Sequence, residues 1–218
     1  LGLLTVPLFA FTGALLAAAA VGLTTRLTRS HSADRLVLSG VAVAFVFTAL
    51  GNLLIFLGDP RAANTVVFWM LGGLGLAQWQ HLIYPAGILL LCLALLLPKT
   101  RELNALAMGD ETAVTLGIPV VRFRLLLFVV TALLTGVMVA FSGAIGFVGL
   151  MVPHFVRLIV GGDNVRVVPL SAAFGALALI WADIVARLIM APEDMPIGVV
   201  TGLVGGIAFI LILRSGRA

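Results

Sequence analysis

Long apolar runs are the feature of this sequence that most limits how it can fold. The runs reach about 18 to 20 residues, the length that a helix needs to cross a hydrocarbon core of about 30 Å. Membrane barrel strands would be about 10 residues long and would alternate apolar with polar residues, a pattern the runs do not show. Composition agrees, since 62% of residues are hydrophobic and 10% are charged. The sequence therefore predicts an all-α polytopic membrane protein.

Seven membrane spans are predicted, and charge orients them. The spans cover residues of about 3–24, 36–57, 80–97, 123–141, 147–161, 169–190 and 197–213. Alternation leaves only Arg61 in the loops of one side, and the other side holds Arg26, Arg29, Arg35, Lys99, Arg101, Arg122, Arg124, Arg166, Arg214 and Arg217. The basic side is cytoplasmic by the positive-inside rule. We therefore expect a multi-pass protein of the cytoplasmic (inner) membrane with its C-terminus inside. Leu1 would lie outside, so earlier spans are expected before it.

The segment 147–161 is the weakest of the predicted spans. It is short, contains Pro153 and follows the glycine-rich stretch GAIGFVG. A re-entrant segment is the alternative, but it would move Arg166 and Arg214 outside, against the charge rule. A short, broken span is therefore predicted, since irregular backbone at membrane depth is tolerated where protein buries it. Its glycines favour a close helix crossing, and His154 is expected to bond backbone freed by Pro153.

Enzyme, metal and nucleic-acid functions find no support in the sequence. A P-loop needs glycines before its lysine, but the only lysine, Lys99, follows LLLP. The three histidines lie far apart and Cys92 is the single cysteine, so no cluster has metal-ligand spacing. The arginines form no stripe that would suit nucleic acid. We expect a protein that is not an enzyme, with no bound cofactor or metal, and Cys92 used for packing.

Residues 98–124 form the one long polar island between apolar runs. Two short helices are predicted, the first with Leu103, Leu106 and Ala107 on one face. Gly109 would end the first helix and Asp110 would cap the second, which stops at Gly117 and Pro119. A hairpin lying on the lipid is one interpretation.

The charges of this island favour a protein partner over lipid. Its middle carries Glu102, Asp110 and Glu111, and it has no basic residue between Arg101 and Arg122. An acidic face suits a basic protein surface better than anionic lipid.

Asp183 and Arg187 stand four residues apart in the apolar stretch WADIVAR. This spacing places them on one helix face with the acid first, the favourable order for an ion pair. Ionisable residues at membrane depth are costly, so they mark either a structural pair or a docking or pathway site. The residues alone leave both interpretations open.

Four segments carry a resemblance to a known family. They are GAIGFVGLMVPHFVRLIVG, ADIVARLI, MPIGVVTGLVGG and the island stretch ALAMGDETAVTLGIPV. Taken in their order along the chain, with the island stretch first, they resemble the permease family of ABC importers for iron–siderophores, haem and cobalamin (FecCD-type, type II importers). The resemblance implies a ten-helix permease fold of which this chain holds about seven helices, with three missing before it. Residues 1–218 would be one permease domain, with a cytoplasmic coupling-helix segment at 98–122.

The resemblance also implies partners and site residues. Partners would be a second permease copy, identical or a related half, two ATPase subunits that hydrolyse ATP, an external substrate-binding protein, and the lipid membrane, but no nucleic acid. Residues 59–72 would form a short external helix. Ser32, Ala33 and Asp34 would form the cytoplasmic gate, and Arg187, held by Asp183, would dock the binding protein. ATPase coupling would fall to Leu106, Met108, Gly109, Asp110, Glu111, Ala113, Leu116 and Gly117.

The implied function is translocation of a ferric siderophore across the cytoplasmic membrane. Haem and cobalamin are alternatives within the same family. From another class, an ion-coupled secondary transporter would use Asp183 as its coupling carboxylate, and a structural membrane subunit without a pathway is a third reading.

Overall fold

The computed structural model describes residues 5–27, 33–75, 77–192 and 194–214. Within these ranges the chain forms α-helices joined by short turns, and no β-strand occurs there. The helices are α1 (Thr5–Leu27), α2 (Ala33–Leu57), α3 (Pro60–Met70), α4 (Ile83–Leu96), α5 (Thr100–Ala107), α6 (Asp110–Thr115), α7 (Val120–Ser142), α8 (Val148–Val160), α9 (Asn164–Ile189) and α10 (Ile197–Arg214). The all-α prediction is confirmed, and every predicted span is mainly helical over the residues that the structure describes.

Five helical stretches are long and apolar enough to cross a membrane. They are Pro7–Thr25, Arg35–Leu57, Trp79–Ala107, Val120–Ser142 and Asn164–Ile189. Val148–Val160 and Ile197–Ile212 are shorter apolar helices. The third stretch is notable because apolar α4 runs through a single 3₁₀ turn, Leu97–Lys99, directly into polar α5. The polar island is thus attached to a membrane-length helix without a flexible linker.

The long helices pack as two groups. In one group α7 contacts α1 and α4, and α1 also contacts α2. Cys92 of α4 is 1% exposed and its sulfur lies 3.8 Å from the Val130 carbonyl oxygen of α7, which confirms its packing role. In the other group α9 contacts α8 around the buried valines Val152, Val156 and Val167, and it contacts α10 around Ala186 and Ile197.

The loops of the two groups meet at opposite ends of the bundle. At one end α5 contacts the start of α9. At the other, the Gly73 amide donates to the Ser142 carbonyl oxygen (2.8 Å), and Gly198 approaches the carbonyl oxygens of Leu71 and Ala144. We call these the hairpin end and the α3 end. Among the long helices, α4, α7 and α9 each run from one of these ends to the other, in the alternation predicted from the sequence.

The short helix α8 leads to the hairpin end but does not begin at the α3 end. It starts inside the bundle, because Phe147 before it covers Gly205, about 12 Å along α10 from its first residue. The entering segment 143–147 is irregular, with positive φ at Gly143 (68°) and Phe147 (65°). The prediction that Pro153 breaks this segment is wrong, because α8 continues through Pro153. The segment is short as predicted, and its irregular backbone lies before the helix.

Two expectations for this region are wrong. A Cβ at Gly146 or Gly149 would meet nothing within 4 Å, so only Gly143 makes the predicted close approach, to the Trp69 carbonyl oxygen. The Nε2 atom of His154 is buried without a hydrogen-bond partner, so that nitrogen does not bond the backbone.

Candidate functional site

The polar island folds as a helical hairpin. Helices α5 and α6 are joined by Met108 and Gly109, and Gly109 has φ 109° and ψ 157°, a conformation essentially restricted to glycine. The prediction that Gly109 ends the first helix is confirmed. The predicted cap is wrong, because Gly109 occupies the N-cap position and Asp110 is the first helical residue. The Asp110 carboxylate instead accepts from the Arg124 Nη2 atom of α7 at 2.8 Å.

The hairpin has a small core of its own. Ala105, Ala113 and Val120 are 5%, 0% and 8% exposed, with Leu106 and Ile118 packed against them. Two alanines at the contact let the helix backbones approach closely. The predicted apolar face was partly wrong, because Ala107 is exposed and the alanine at the contact is Ala105.

The tip and outer face of the hairpin present apolar side chains to the surroundings. Met108, Val114 and Leu116 are each about 60% exposed. Of the residues predicted for ATPase coupling, Ala113 is fully buried and Leu106 partly so, and the exposed ones are Met108, Gly109, Asp110, Glu111, Leu116 and Gly117. Val114, which the prediction did not include, is exposed on the same face.

The charges of the hairpin are largely paired within the chain. Lys99 Nζ lies 3.4 Å from Glu102 Oε1, in addition to the Asp110–Arg124 pair. Within the part of the chain that the structure describes, only Glu111 of the three acids is without an ion pair. The interpretation of an acidic face is therefore corrected, because long-range folding brings Arg124 beside Asp110. The exposed surface combines the apolar side chains with Arg101, the free Glu111 carboxylate and the half-exposed Asp110.

Polar bonds join the hairpin to the start of α9. Asn104 of α5 donates through Nδ2 to Asp163 Oδ1 (2.7 Å), and its Oδ1 accepts from both the backbone amide and the side-chain amide of Asn164 (2.8 Å each). Asp163 also caps α9 by accepting from the Val165 amide at 3.0 Å. The hydrogen bond from Asn104, followed by that from Val165, lowers the pKa of the Asp163 carboxyl.

The predicted ion pair forms at the α3 end. Arg187 Nε donates to Asp183 Oδ2 at 2.9 Å, and their side chains are 46% and 24% exposed. A cavity of about 240 Å³ adjoins the pair, and its lining includes Trp69 and Asp194. Helix α3 begins with a side-chain cap from Asp59, which accepts from the amides of Arg61 and Ala62. The external helix predicted at 59–72 is present as a helix.

The predicted gate falls mostly outside the described residues. Ser32 is not among them, and only the backbone of Ala33 and Asp34 is described, as the first turn of α2. For metals, no group of three His, Cys, Asp or Glu side chains within the described ranges is placed to hold an ion.

The fold, with its several membrane-length helices and polar groups at both ends, defines a multi-pass helical membrane protein. A family model described as the FecCD transport family matches residues 1–215. The chain belongs to the FecCD transport family.

Individual relatives agree with the family assignment. The chain is 40% identical over 182 residues to the hemin transport system permease protein HmuU of Yersinia pestis, covering 83% of this chain and 54% of that protein. It is 40% identical over 199 residues to the vitamin B12 import system permease protein BtuC of Salmonella schwarzengrund, covering 88% of this chain and 59% of the relative. The chain thus spans somewhat more than half the length of these relatives.

A solved structure shares the fold. It is described as an inward-facing conformation of a metal-chelate type ABC transporter, and it superimposes with a TM-score of 0.86 at 28% identity. The match covers 96% of this chain and 71% of that one. The helical arrangement described above is therefore that of an ABC transporter permease.

Proposed function

We propose that this chain is part of the membrane-spanning permease subunit of an ATP-driven importer that moves a ferric siderophore across the cytoplasmic membrane. One observation carries the proposal: a rigid hairpin with an exposed apolar tip and an exposed arginine–carboxylate pair occupy opposite ends of one helical bundle. Such a bundle has a surface for ATPase subunits at one end and a surface for a substrate-binding protein at the other.

The hairpin end is proposed to contact the ATPase subunits. Exposed Met108, Val114 and Leu116 offer apolar area that a cleft in a soluble partner would bury. The hairpin suits transmission of force, because its own core and the Asp110–Arg124 bond hold α5, α6 and α7 together. Closure of the ATPases on ATP would then displace the hairpin as one body. This end would be cytoplasmic, in line with its basic residues.

The α3 end is proposed to receive an external binding protein. Arg187 extends its guanidinium beside a cavity and is nearly half exposed, so an acidic group of a partner can reach it. Asp183 holds the guanidinium in place before docking, which reduces the entropy lost on binding. A second permease copy, identical or related, would complete the pathway between the two subunits.

Two alternatives differ from this proposal, one in the energy source and one in the cargo. An ion-coupled secondary transporter would need Asp183 free to bind its ion, but Arg187 lies 2.9 Å from that carboxylate and favours a paired role. Haem and cobalamin stay open as cargo, because the relatives named above are permeases for hemin and for vitamin B12. All three candidates are metal chelates, so the substrate class is the same.

The test is uptake by the full-length complex in proteoliposomes. The permease, the ATPases and the binding protein are reconstituted, and uptake of ⁵⁵Fe-siderophore, ⁵⁵Fe-haem and ⁵⁷Co-cobalamin is measured. Each uptake is compared with and without ATP on the side of the membrane that carries the ATPases. ATP-dependent siderophore uptake is expected. Uptake of haem or cobalamin without siderophore uptake would replace the siderophore as the proposed substrate. Uptake driven by an ion gradient without ATP would reject the proposal of an ATP-driven importer.

A further inference from the structure

The hairpin is linked to α9 by hydrogen bonds and not by its core. The buried residues of the hairpin cluster come from α5, α6 and the first residue of α7, and within the described part of the chain none comes from α9. Across the α5–α9 junction, Asn104 donates one bond and accepts two, at 2.7 to 2.8 Å. These bonds bridge about 60 residues of sequence. Asn104 therefore acts as the polar clamp between the hairpin and α9.

Helix α9 reaches the opposite end of the bundle. Its 26 residues run from Asn164 to Ile189 without interruption, continuing through Pro169. At 1.5 Å per residue, Arg187 lies about 35 Å along the helix from the clamped Asn164. The clamp and the docking arginine thus occupy the two ends of one element.

We propose that Asn104 is a positioning residue that ties the hairpin to α9, so that displacement of the hairpin shifts α9 and the Arg187 end with it. This inference rests on the proposed function, in which the hairpin meets the ATPases and Arg187 meets the binding protein. Because α9 is one continuous helix, a displacement of its hydrogen-bonded end reaches its other end. A hairpin held only by its own core would move without moving α9. Nucleotide state and docking affinity would then be coupled reciprocally.

The test measures that coupling in the full-length complex in nanodiscs. The dissociation constant of the binding protein is determined without nucleotide and with a non-hydrolysable ATP analogue, and the ratio of the two is the coupling factor. In Asn104→Asp a second carboxylate faces Asp163, so the clamp opens, and the factor is expected to fall about fivefold or more toward one. ATPase assembly and docking without nucleotide should stay near wild type, because neither partner surface is touched.

A reciprocal exchange tests the clamp itself. In Asn104→Asp with Asp163→Asn, the new carboxylate accepts from Asn164 and from the new amide, and asparagine caps a helix as well as aspartate. The coupling factor should recover. Arg166→Gln is the matched control, since it changes the charge by the same unit at the same end of α9, on an exposed side chain that makes none of the clamp hydrogen bonds. Asn104→Ala replaces the first variant if that complex does not assemble.

The outcomes separate this inference from the proposed function. No ATPase binding by the wild type rejects the proposed function and the inference with it, whereas a wild-type coupling factor of one with normal ATP-dependent uptake rejects only the inference. A normal wild-type factor that Asn104→Asp and Asn104→Ala both retain rejects only the clamp. The clamp is also rejected if Arg166→Gln loses the factor equally, if the exchange does not restore it, or if assembly and coupling fall in parallel in Asn104→Ala.

Discussion

Replacing Gly205 with alanine is expected to lower the thermal stability of the bundle, while the same replacement at Gly202, one turn earlier in α10, is not. A Cβ at Gly202 would meet nothing within 4 Å. Gly202→Ala therefore has the full stabilisation of about 1 kcal/mol that alanine gives over glycine in a helix interior. A Cβ at Gly205 would lie 2.6 Å from the Cβ and 3.3 Å from the Cγ of Phe147.

The contact with Phe147 cannot be relieved by a rotamer change. A Cβ atom moves only with its backbone, and the backbone of Phe147 already holds a φ of 65° at the entry to α8. Overpacking of this kind costs about 1–3 kcal/mol. Because the gain from alanine is common to both variants, their difference is the overpacking cost itself. A value of about 2 kcal/mol corresponds to a gap in Tm of about 4–8 °C for a chain of this size.

The single cysteine provides the assay. Cys92 is 1% exposed between α4 and α7, so a thiol-reactive fluorophore labels it when the bundle opens. Labelling of the purified permease in detergent is followed during heating for wild type, Gly202→Ala and Gly205→Ala. Equal Tm values for the two variants would refute the reasoning, since the Phe147 contact would then carry no cost.

Three further predictions concern the two ends of the bundle. Arg187→Glu should weaken docking of the binding protein about tenfold and alter its salt dependence, measured by biolayer interferometry on nanodiscs. Gly109→Ala, which forces alanine into a glycine conformation at a cost of about 1–3 kcal/mol, should leave ATP hydrolysis running while substrate uptake falls. Asp163, whose folded pKa is lowered, stabilises the protein above its unfolded pKa of about 3.9 and loses this effect as pH falls through the folded value. Asp163→Asn should flatten the dependence of Tm on pH below about pH 4.

Each of these has an outcome that would contradict it, and the first also has a matched control. Arg61→Glu reverses an exposed charge on α3, at the same end as Arg187, and should change docking little; equal losses would point to net charge and not to a specific contact. For Gly109, Glu111→Gln tests the one acid of the hairpin without an ion pair in the described chain, and normal uptake in both variants would count against the coupling role. For Asp163, an acid transition that is unchanged in the asparagine variant contradicts the assignment.

Much of the local structure could be predicted from the sequence. Span positions follow from the length of the apolar runs, and the end of α5 follows from Gly109, because these signals lie within a few residues of what they determine. The pairing of Asp183 with Arg187 could be predicted for the same reason, since four residues on a helix fix their distance.

Other features depend on residues distant in the chain. The sequence could not show that Asp110 pairs with Arg124 and does not cap its own helix, nor that Ala105 and Ala113 meet while Ala107 faces outward. It also gave no sign of the clamp, in which Asn104 meets residues about 60 positions away.

The sequence by itself determined that the chain is a helical membrane protein with one polar hairpin, because hydrophobic length and glycine conformation are local properties. Only the tertiary structure decided which charges form ion pairs, which faces stay exposed and which helix is hydrogen-bonded to the hairpin. Those outcomes depend on the packing of α5 against α9 and of α6 against α7, and packing is set by contacts that no local pattern encodes.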